Sequence, residues 1–369
     1  METDHATDAV PAETPDTRRS PARWFQRFLL LAGMTVVVAT ALGGLASRWW
    51  FADLLTQFTV QYVLILAPVL LATLLTRRWR WSLLFTLVMI ANLWPVAAYY
   101  RPVPRAGQTG DTWTLRVLTQ NVLVSNDQYR KVIDLVLKQD PDVIALQEVT
   151  PQWIEALREL EPTWKYHVFH EHPREFGLAV YSKLPIDEHD VQLFGSAGIP
   201  SLYVRLRGPG DQQLELATTH PFIPAGAGAS EFRNAQLLLT AEELDPARFR
   251  VLAGDFNLTP WSPWFGEILR RGNLADTAIG YGPSPTWHLF PTWLGGVKID
   301  HVLASPDIMV NQYRTGTPVG SDHLGLIVDL QIPFPEDSGM AWQDAHPVSG
   351  LSSPSILTSL RSRTRAGDR

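Results

Sequence analysis

Val251-Leu252-Ala253-Gly254-Asp255-Phe256-Asn257-Leu258-Thr259-Pro260 is an apolar run that stops at a glycine and then delivers a carboxylate and a carboxamide two positions apart. Read as a strand end, it places Asp255 and Asn257 on one face and turns Phe256 into the core, because strand side chains at i and i+2 point the same way. Two polar groups held together in this way can grip a small charged ligand. The rival reading is a turn, since Asp and Asn also hydrogen-bond to nearby backbone. Both stand until the rest of the chain is considered.

On either side, short apolar runs bounded by turn residues recur at 115–118, 143–146, 178–181, 202–206, 214–218, 301–304 and 324–330, each the length of a strand. Helical spacing appears between some of them. Residues 129–139 put Val132, Ile133, Val136 and Leu137 on one stripe, 151–160 repeat the pattern, and 231–244 carry Phe232, Ala235, Leu238 and Leu239. Strands and helices sharing one core predict an α/β domain of two packed sheets with helices outside.

The chain has 369 residues, 46% of them hydrophobic, and no cysteine, which excludes disulfides, thiolate metal sites and a cysteine nucleophile. Its apolar excess lies before residue 101. Three uncharged stretches, 28–46, 54–76 and 81–100, approach the roughly 20 residues that cross a bilayer. Pro68 and Pro95 are tolerable there because neighbouring helices satisfy the freed carbonyls. A signal peptide explains the first stretch less well, since two further apolar stretches follow it. Arg18, Arg19, Arg23 and Arg27 precede the first stretch, Arg48 lies in the first loop, and Arg77, Arg78 and Arg80 fill the second. The positive-inside rule then puts the N-terminus in the cytosol and the C-terminal domain outside the cytoplasmic membrane. The expected organisation is a disordered tail (1–27), three transmembrane helices (28–100), a Pro/Gly linker (101–112), a catalytic domain (113–333) and a second disordered tail (334–369).

The polar residues at the strand ends are of one chemical kind. Asn121, Glu148 and His220 follow strands, Asp255 and Asn257 come next, Asp300 opens a strand, and Asp322 and His323 precede the last one. No serine–histidine–acid triad is evident. Carboxylates, amides and imidazoles without thiols suit a hard divalent cation and a phosphate.

In these residues the chain resembles the endonuclease/exonuclease/phosphatase superfamily, which includes DNase-I-like nucleases, neutral sphingomyelinases and inositol polyphosphate 5-phosphatases. The elements Thr119-Gln120-Asn121, Gln147-Glu148, Thr219-His220, Gly254-Asp255-Phe256-Asn257, Ile299-Asp300-His301 and Ser321-Asp322-His323 occur in the family's order across residues 115–330. The resemblance implies a four-layer α/β sandwich and metal-dependent phosphoester hydrolysis, and extends to the bacterial subgroup with N-terminal transmembrane helices. It also implies roles. Glu148 binds Mg²⁺, with Mn²⁺ as the alternative, Asn121 stands beside it on metal or phosphate, and Asp322 assists the metal or its water. His323 contacts the scissile phosphate and transfers a proton, with Asp300 holding its other ring nitrogen. Asp255 orients or deprotonates the attacking water, Asn257 binds a phosphoryl oxygen, and His220 stabilises charge on the phosphate.

Plainer readings stand beside these. Asp300 is also placed for an ion pair with Lys298, and His301 for a supporting or core role. Trp261, Trp264, Trp287 and Trp293 are candidates for a substrate groove, although filling a core is the commoner use of tryptophan. Arg233 and Gln236, on the helix after His220, are placed to approach the site from one face, although a solvated helix surface is the expected reading. Residues 111–333 carry 17 Lys and Arg against 27 Asp and Glu, so the basic footprint of nucleic-acid recognition is missing. A domain tethered at a bilayer meets lipid headgroups at high effective concentration. A phosphodiester of lipid or envelope is therefore the favoured substrate class, followed by extracellular DNA or RNA. The non-enzymatic alternative, a sensor or binding domain, is expected to have lost metal or phosphate residues, and none is missing.

Overall fold

The computed structural model describes residues 21–102, 111–172, 174–288, 295–334 and 361–362. Residues 1–20 of the first expected tail, 103–110 of the linker, Trp293, and nearly all of the second tail lie outside the described residues.

Four helices come first: α1 (Pro21–Gly43), α2 (Trp50–Thr56), α3 (Thr59–Leu75) and α4 (Trp79–Ala98). Helices α1 and α4 are long and apolar enough to cross a membrane, and a third span exists if α2 and α3, bent by 61°, count as one. Two expectations are corrected here. The helix reaches back to Pro21, into residues expected as tail, and the stretch 54–76 is not one straight helix but breaks after Thr56. Val36, Leu66, Val69 and Phe85 form the core of α1, α3 and α4. Asn92 of α4 donates to Thr40 of α1 at 2.9 Å, and Arg78 in the α3–α4 turn donates to Gln26 near the start of α1 at 3.3 Å. That turn and the start of α1 thus share one end of the bundle.

The rest alternates strands and helices: β1 (Thr112–Asn121), α5 (Tyr129–Gln139), β2 (Val143–Gln147), α6 (Pro151–Leu157), β3 (Tyr166–His170), β4 (Leu178–Ser182), β5 (Ile186–Phe194), β6 (Ile199–Arg207) and β7 (Gln213–Thr219). Then come α7 (Ala227–Glu242), β8 (Phe249–Asp255), α8 (Pro263–Gly272), β9 (Ala275–Asp276), β10 (Asp300–Ala304), β11 (Met309–Thr315), β12 (Leu326–Pro333) and the short β13 (Arg361–Ser362). One sheet runs β11-β12-β1-β2-β4-β3 and the other β13-β5-β6-β7-β8-β10-β9. Each is mixed, with β1–β2 and β7–β8 parallel at its centre.

Alternation along the strands explains the layers. In β2, Val143 and Ala145 face the core between the sheets, while Ile144 and Leu146 pack with Val132 and Val136 of α5 and Trp153 of α6. In β8, Val251 and Ala253 face inward and Leu252 packs with Leu237 and Leu238 of α7 and Phe265 of α8. A strand covered on both faces reads as a continuous apolar run, as these do. The result is the expected four-layer α/β sandwich. Because β1, β2, β7 and β8 end at one rim, and β10 starts there with Asp300 opposite Asp255, polar residues from both sheets converge.

Candidate active site

Strand β8 ends at Asp255, and the chain leaves the extended conformation two residues later, where Asn257 has φ of 50°. The Asn257 N–H donates to Asp255 Oδ1 at 2.8 Å, an Asx turn. The expectation that both side chains share a strand face is corrected, because a local carboxylate satisfies the backbone better than continued pairing. Phe256 is fully buried, as expected. Asn257 donates through Nδ2 to the carbonyl of Pro221, the residue after His220, at 3.1 Å.

One oxygen organises what surrounds it. Asp255 Oδ2 accepts from Asn121 Nδ2 at 3.1 Å and lies 3.5 Å from Nε2 of both His220 and His323. Asn121 Nδ2 also donates to Glu148 Oε1 at 2.8 Å, and His220 Nε2 is 3.8 Å from that oxygen. Glu148 itself has φ of 62°, and its Oε2 accepts from Val124 N at 2.7 Å. A glutamate held in a left-handed conformation at a strand end is a strained residue kept by its surroundings.

The two imidazoles are oriented by different means. His220 Nδ1 donates to the Glu175 carbonyl at 2.8 Å, which turns Nε2 toward Asp255. His323 Nδ1 lies 2.8 Å from Asp300 Oδ2, so Asp300 holds His323 and not Lys298, whose ammonium meets His301 Nδ1 at 2.8 Å. Burial disfavours the charged form of His323, but Asp300 and Asp255 outweigh it and push its pKa up to about 10. Burial likewise raises the carboxyl of Asp255, against the pull of His323. Ser321 fixes the histidine's backbone, accepting from His323 N at 3.0 Å and donating to the Asn121 carbonyl at 2.8 Å. Gln147 ties the sheets together beneath the site by donating to Thr218 Oγ1 at 2.9 Å.

Asn121, Glu148, His220, Asp255, Asp300 and His323 are therefore brought together. Asn257 borders them through its turn, and Asp322 stands aside, with Oδ2 accepting from Trp287 Nε1 at 2.8 Å. His301 is a core residue stacked on Phe256 and tilted against Phe265, and burial beside Lys298 holds its pKa well below the usual histidine value. Among the tryptophans, Trp264 packs on the α7–α8 core and Trp261 meets Tyr99 edge-on. Asp255, Asp300 and His323 offer ligand atoms within 4.8 Å of one another, a group compatible with a divalent cation.

The expectation for Arg233 and Gln236 is overturned. Both are buried, Gln236 on Thr219 Oγ1 at 3.0 Å and Arg233 in an ion pair with Asp53 of α2 at 2.6 Å. Neither Asp53 nor Gln57, whose Oε1 accepts from Thr259 N at 2.6 Å, stood out in the sequence. One signal was available: Asp53 is the only carboxylate between Asp16 and Asp111.

Comparison with known proteins agrees with this geometry. The chain is 26% identical over 199 residues to the inositol phosphosphingolipids phospholipase C of Schizosaccharomyces pombe (strain 972 / ATCC 24843), which covers 48% of this chain and 46% of that protein. It thus spans about half the length of that curated relative. Among solved structures, the endonuclease/exonuclease/phosphatase from Beutenbergia cavernae DSM 12333 matches with a TM-score of 0.50 at 22% identity, over 60% of this chain and 72% of that one. The corresponding protein from Bacteroides vulgatus gives a TM-score of 0.50 at 20% identity, over 60% of this chain and 99% of that one. These likenesses establish the fold. Residues 118–323 match the Endonuclease/Exonuclease/phosphatase family. That match spans more than half the chain and every residue around the buried Asp255 oxygen, so the chain belongs to the endonuclease/exonuclease/phosphatase family.

Proposed function

We propose that the chain is a membrane-anchored, divalent-cation-dependent phosphodiesterase that hydrolyses the phosphodiester of a lipid headgroup. The observation that carries this reading is the placement of His220 and His323 Nε2 at equal distance from Asp255 Oδ2, with Glu148 and Asn121 alongside.

The residues fit a cation of the Mg²⁺ type. Two carboxylates, Glu148 and Asp255, converge on one amide of Asn121, and buried like charges so close require a positive partner. His323 commits Nδ1 to Asp300 and turns Nε2 to Asp255, so the proton-transfer role suits it better than ligation. Glu148, with Asn121, would hold the ion, and Asp322, whose Oδ1 is buried without a partner among the described residues, has an acceptor left for an ion-bound water. Bound Mg²⁺, or Mn²⁺, polarises the phosphoryl oxygens and offsets the charge that builds on them.

The chain's own groups supply the proton transfers. Asp255 takes a proton from the attacking water while the new bond to phosphorus forms and the ester P–O bond breaks. His323, kept protonated by its carboxylates, gives its Nε2 proton to the departing alkoxide, and Asp300 stabilises the ring throughout. His220, and Asn257 through its free amide hydrogen, contact the phosphoryl oxygens.

Support for a lipid comes from outside the polar cluster. A cavity of about 260 Å³ lies where α3 and α4 meet the catalytic domain, lined by Val60, Leu64 and Val96 on one side and Trp261 and Pro285 on the other. The relative named a phospholipase C points the same way, as does the domain's acidic balance. The test uses the full-length chain in mixed lipid–detergent micelles with Mg²⁺, assayed on phospholipids, phosphomonoesters, DNA and RNA. Release of a phosphorylated headgroup, abolished by EDTA and by His323→Ala, is expected. Cleavage of nucleic acid with no attack on lipid would replace this reading with a nuclease.

A further inference from the structure

The segment that follows the catalytic aspartate, Asn257-Leu258-Thr259-Pro260-Trp261-Ser262, carries no charge, yet Asp53 of α2 and Gln57, the C-cap of α2, hold it at two points directly and at a third through Arg233. Asp53 Oδ1 accepts from Ser262 Oγ at 2.5 Å, and Ser262 is itself the N-cap of α8. Gln57 Oε1 accepts from Thr259 N. Asp53 Oδ2 binds Arg233, whose Nη1 donates to the Asn257 carbonyl at 2.9 Å. Arg233 is fully buried and Asp53 only 1% exposed. The guanidinium's remaining partner is the neutral Asn234, so Asp53 is the one carboxylate it touches among the described residues.

We propose that Asp53 and Gln57 are positioning residues of the active site, acting from the membrane region on Asn257 and, through it, on Asp255. This rests on the reading of Asp255 and Asn257 given above. The route is a short series of contacts: Asp53 orients Arg233, Arg233 holds the Asn257 carbonyl, and the Asn257 N–H fixes Asp255 Oδ1. Asn257 adopts its left-handed conformation with its N–H tied to Asp255 and its carbonyl tied to Arg233. Release of the carbonyl loosens the backbone on one side of Asn257, whose N–H on the other side holds Asp255. Gln57, the C-cap of α2, acts in parallel, and its Nε2 donates to the Asp53 carbonyl at 3.1 Å, so Asp53 and Gln57 move as one. The helices before the domain are thereby part of its catalytic apparatus, as well as an anchor.

Full-length protein in micelles, with Mg²⁺ and the water-soluble diester bis(p-nitrophenyl) phosphate, tests this without involving lipid binding. Asp53→Asn keeps the shape and removes the charge. It is expected to lower kcat about 10- to 100-fold with KM little changed, as a misplaced catalytic group does. Gln57→Glu, which keeps the acceptor for Thr259 N, should retain most of the rate that Gln57→Leu loses. Hydrogen exchange gives a readout independent of turnover: the amides of residues 257–259, 261 and 262 should exchange faster in Asp53→Asn while β1 and β2 keep their protection. Unchanged exchange there overturns the proposal whatever the activity, and so does a kcat within twofold of wild type. If His323→Ala abolishes turnover but Asp53→Asn does not, the positioning role alone falls. If the wild-type protein leaves the diester intact, the site reading falls and takes this proposal with it.

Discussion

Asp255 is buried and carries three polar neighbours on a single oxygen, an arrangement stable only while the charges around it balance. His323 is the group that supplies the balance, and its raised pKa makes a testable link between charge and stability. Its folded value is about 10 against an ordinary 6.5. Protons are thus bound more tightly in the folded chain, so this histidine's stabilisation is complete below pH 6.5 and fades as pH rises toward 10. In EDTA, His323→Gln should be less stable than wild type by about 2 kcal/mol or more near pH 6. The gap should close by pH 10, measured as the difference in Tm across the range. A gap that stays flat or widens with pH would mean that His323 is neutral in the fold, and its role as proton donor would go. The six clustered residues were legible in the sequence because each ends or opens an apolar run. The detailed geometry at Asn257 was not, since a strand end and an Asx turn need the same residues and only the φ of 50° separates them.

Elements carry their own constraint at the rim, where β7 and β8 run parallel. Gly254 has φ of 144°, and a Cβ there would sit 2.4 Å from the Thr219 carbonyl oxygen, so glycine is required for both conformation and space. Gly254→Ala should cost about 1–3 kcal/mol and depress activity, because the displaced Thr219 carries His220 with it. Gly228→Ala is the contrasting case: this glycine lies in α7 with open space around it. There alanine should be neutral or stabilise by up to about 1 kcal/mol. Thermal melts of the two variants check both signs, and a harmless Gly254→Ala would deny that the two strands are packed this closely. Central strands were readable because burial on both faces makes them continuous apolar runs. Strands β3 and β5 and the edge strand β11 were missed for the opposite reason. Residues 186–194 read Ile-Asp-Glu-His-Asp-Val-Gln-Leu-Phe, whose outer polar positions face solvent and leave no alternation to detect. Helix α2 escaped notice because its seven residues continue an apolar stretch, and its docking depends on Arg233, 180 residues away.

For the whole molecule, the ion pair between Asp53 and Arg233 bears on topology. Breaking one partner of a buried pair typically costs about 3–5 kcal/mol, which would keep α2 on the domain and outside a bilayer that the long helices cross. The end of α1, the start of α3 and the end of α4 then lie on the domain's side of the membrane. Arg78 meets Gln26 at the opposite end, which puts the α3–α4 turn beside the start of α1. If α1 crosses, α3 and α4 would lie next to it, and the 17 residues of α3 stand at the lower limit of what covers the hydrocarbon core without α2. Among the described residues, Arg27, Arg77, Arg78 and Arg80 lie at one end and Arg48 at the other, so the positive-inside rule would make the first end the cytosolic side. Because the chain has no cysteine, single cysteines can report sidedness without background. In intact cells, Leu45→Cys should react with a membrane-impermeant maleimide, whereas Arg77→Cys should react only after the membrane is opened. Labelling of Arg77→Cys from outside would make α3 and α4 a re-entrant hairpin. Protection of both until lysis would instead place the catalytic domain in the cytosol, and the extracytoplasmic lipid substrate would have to be abandoned.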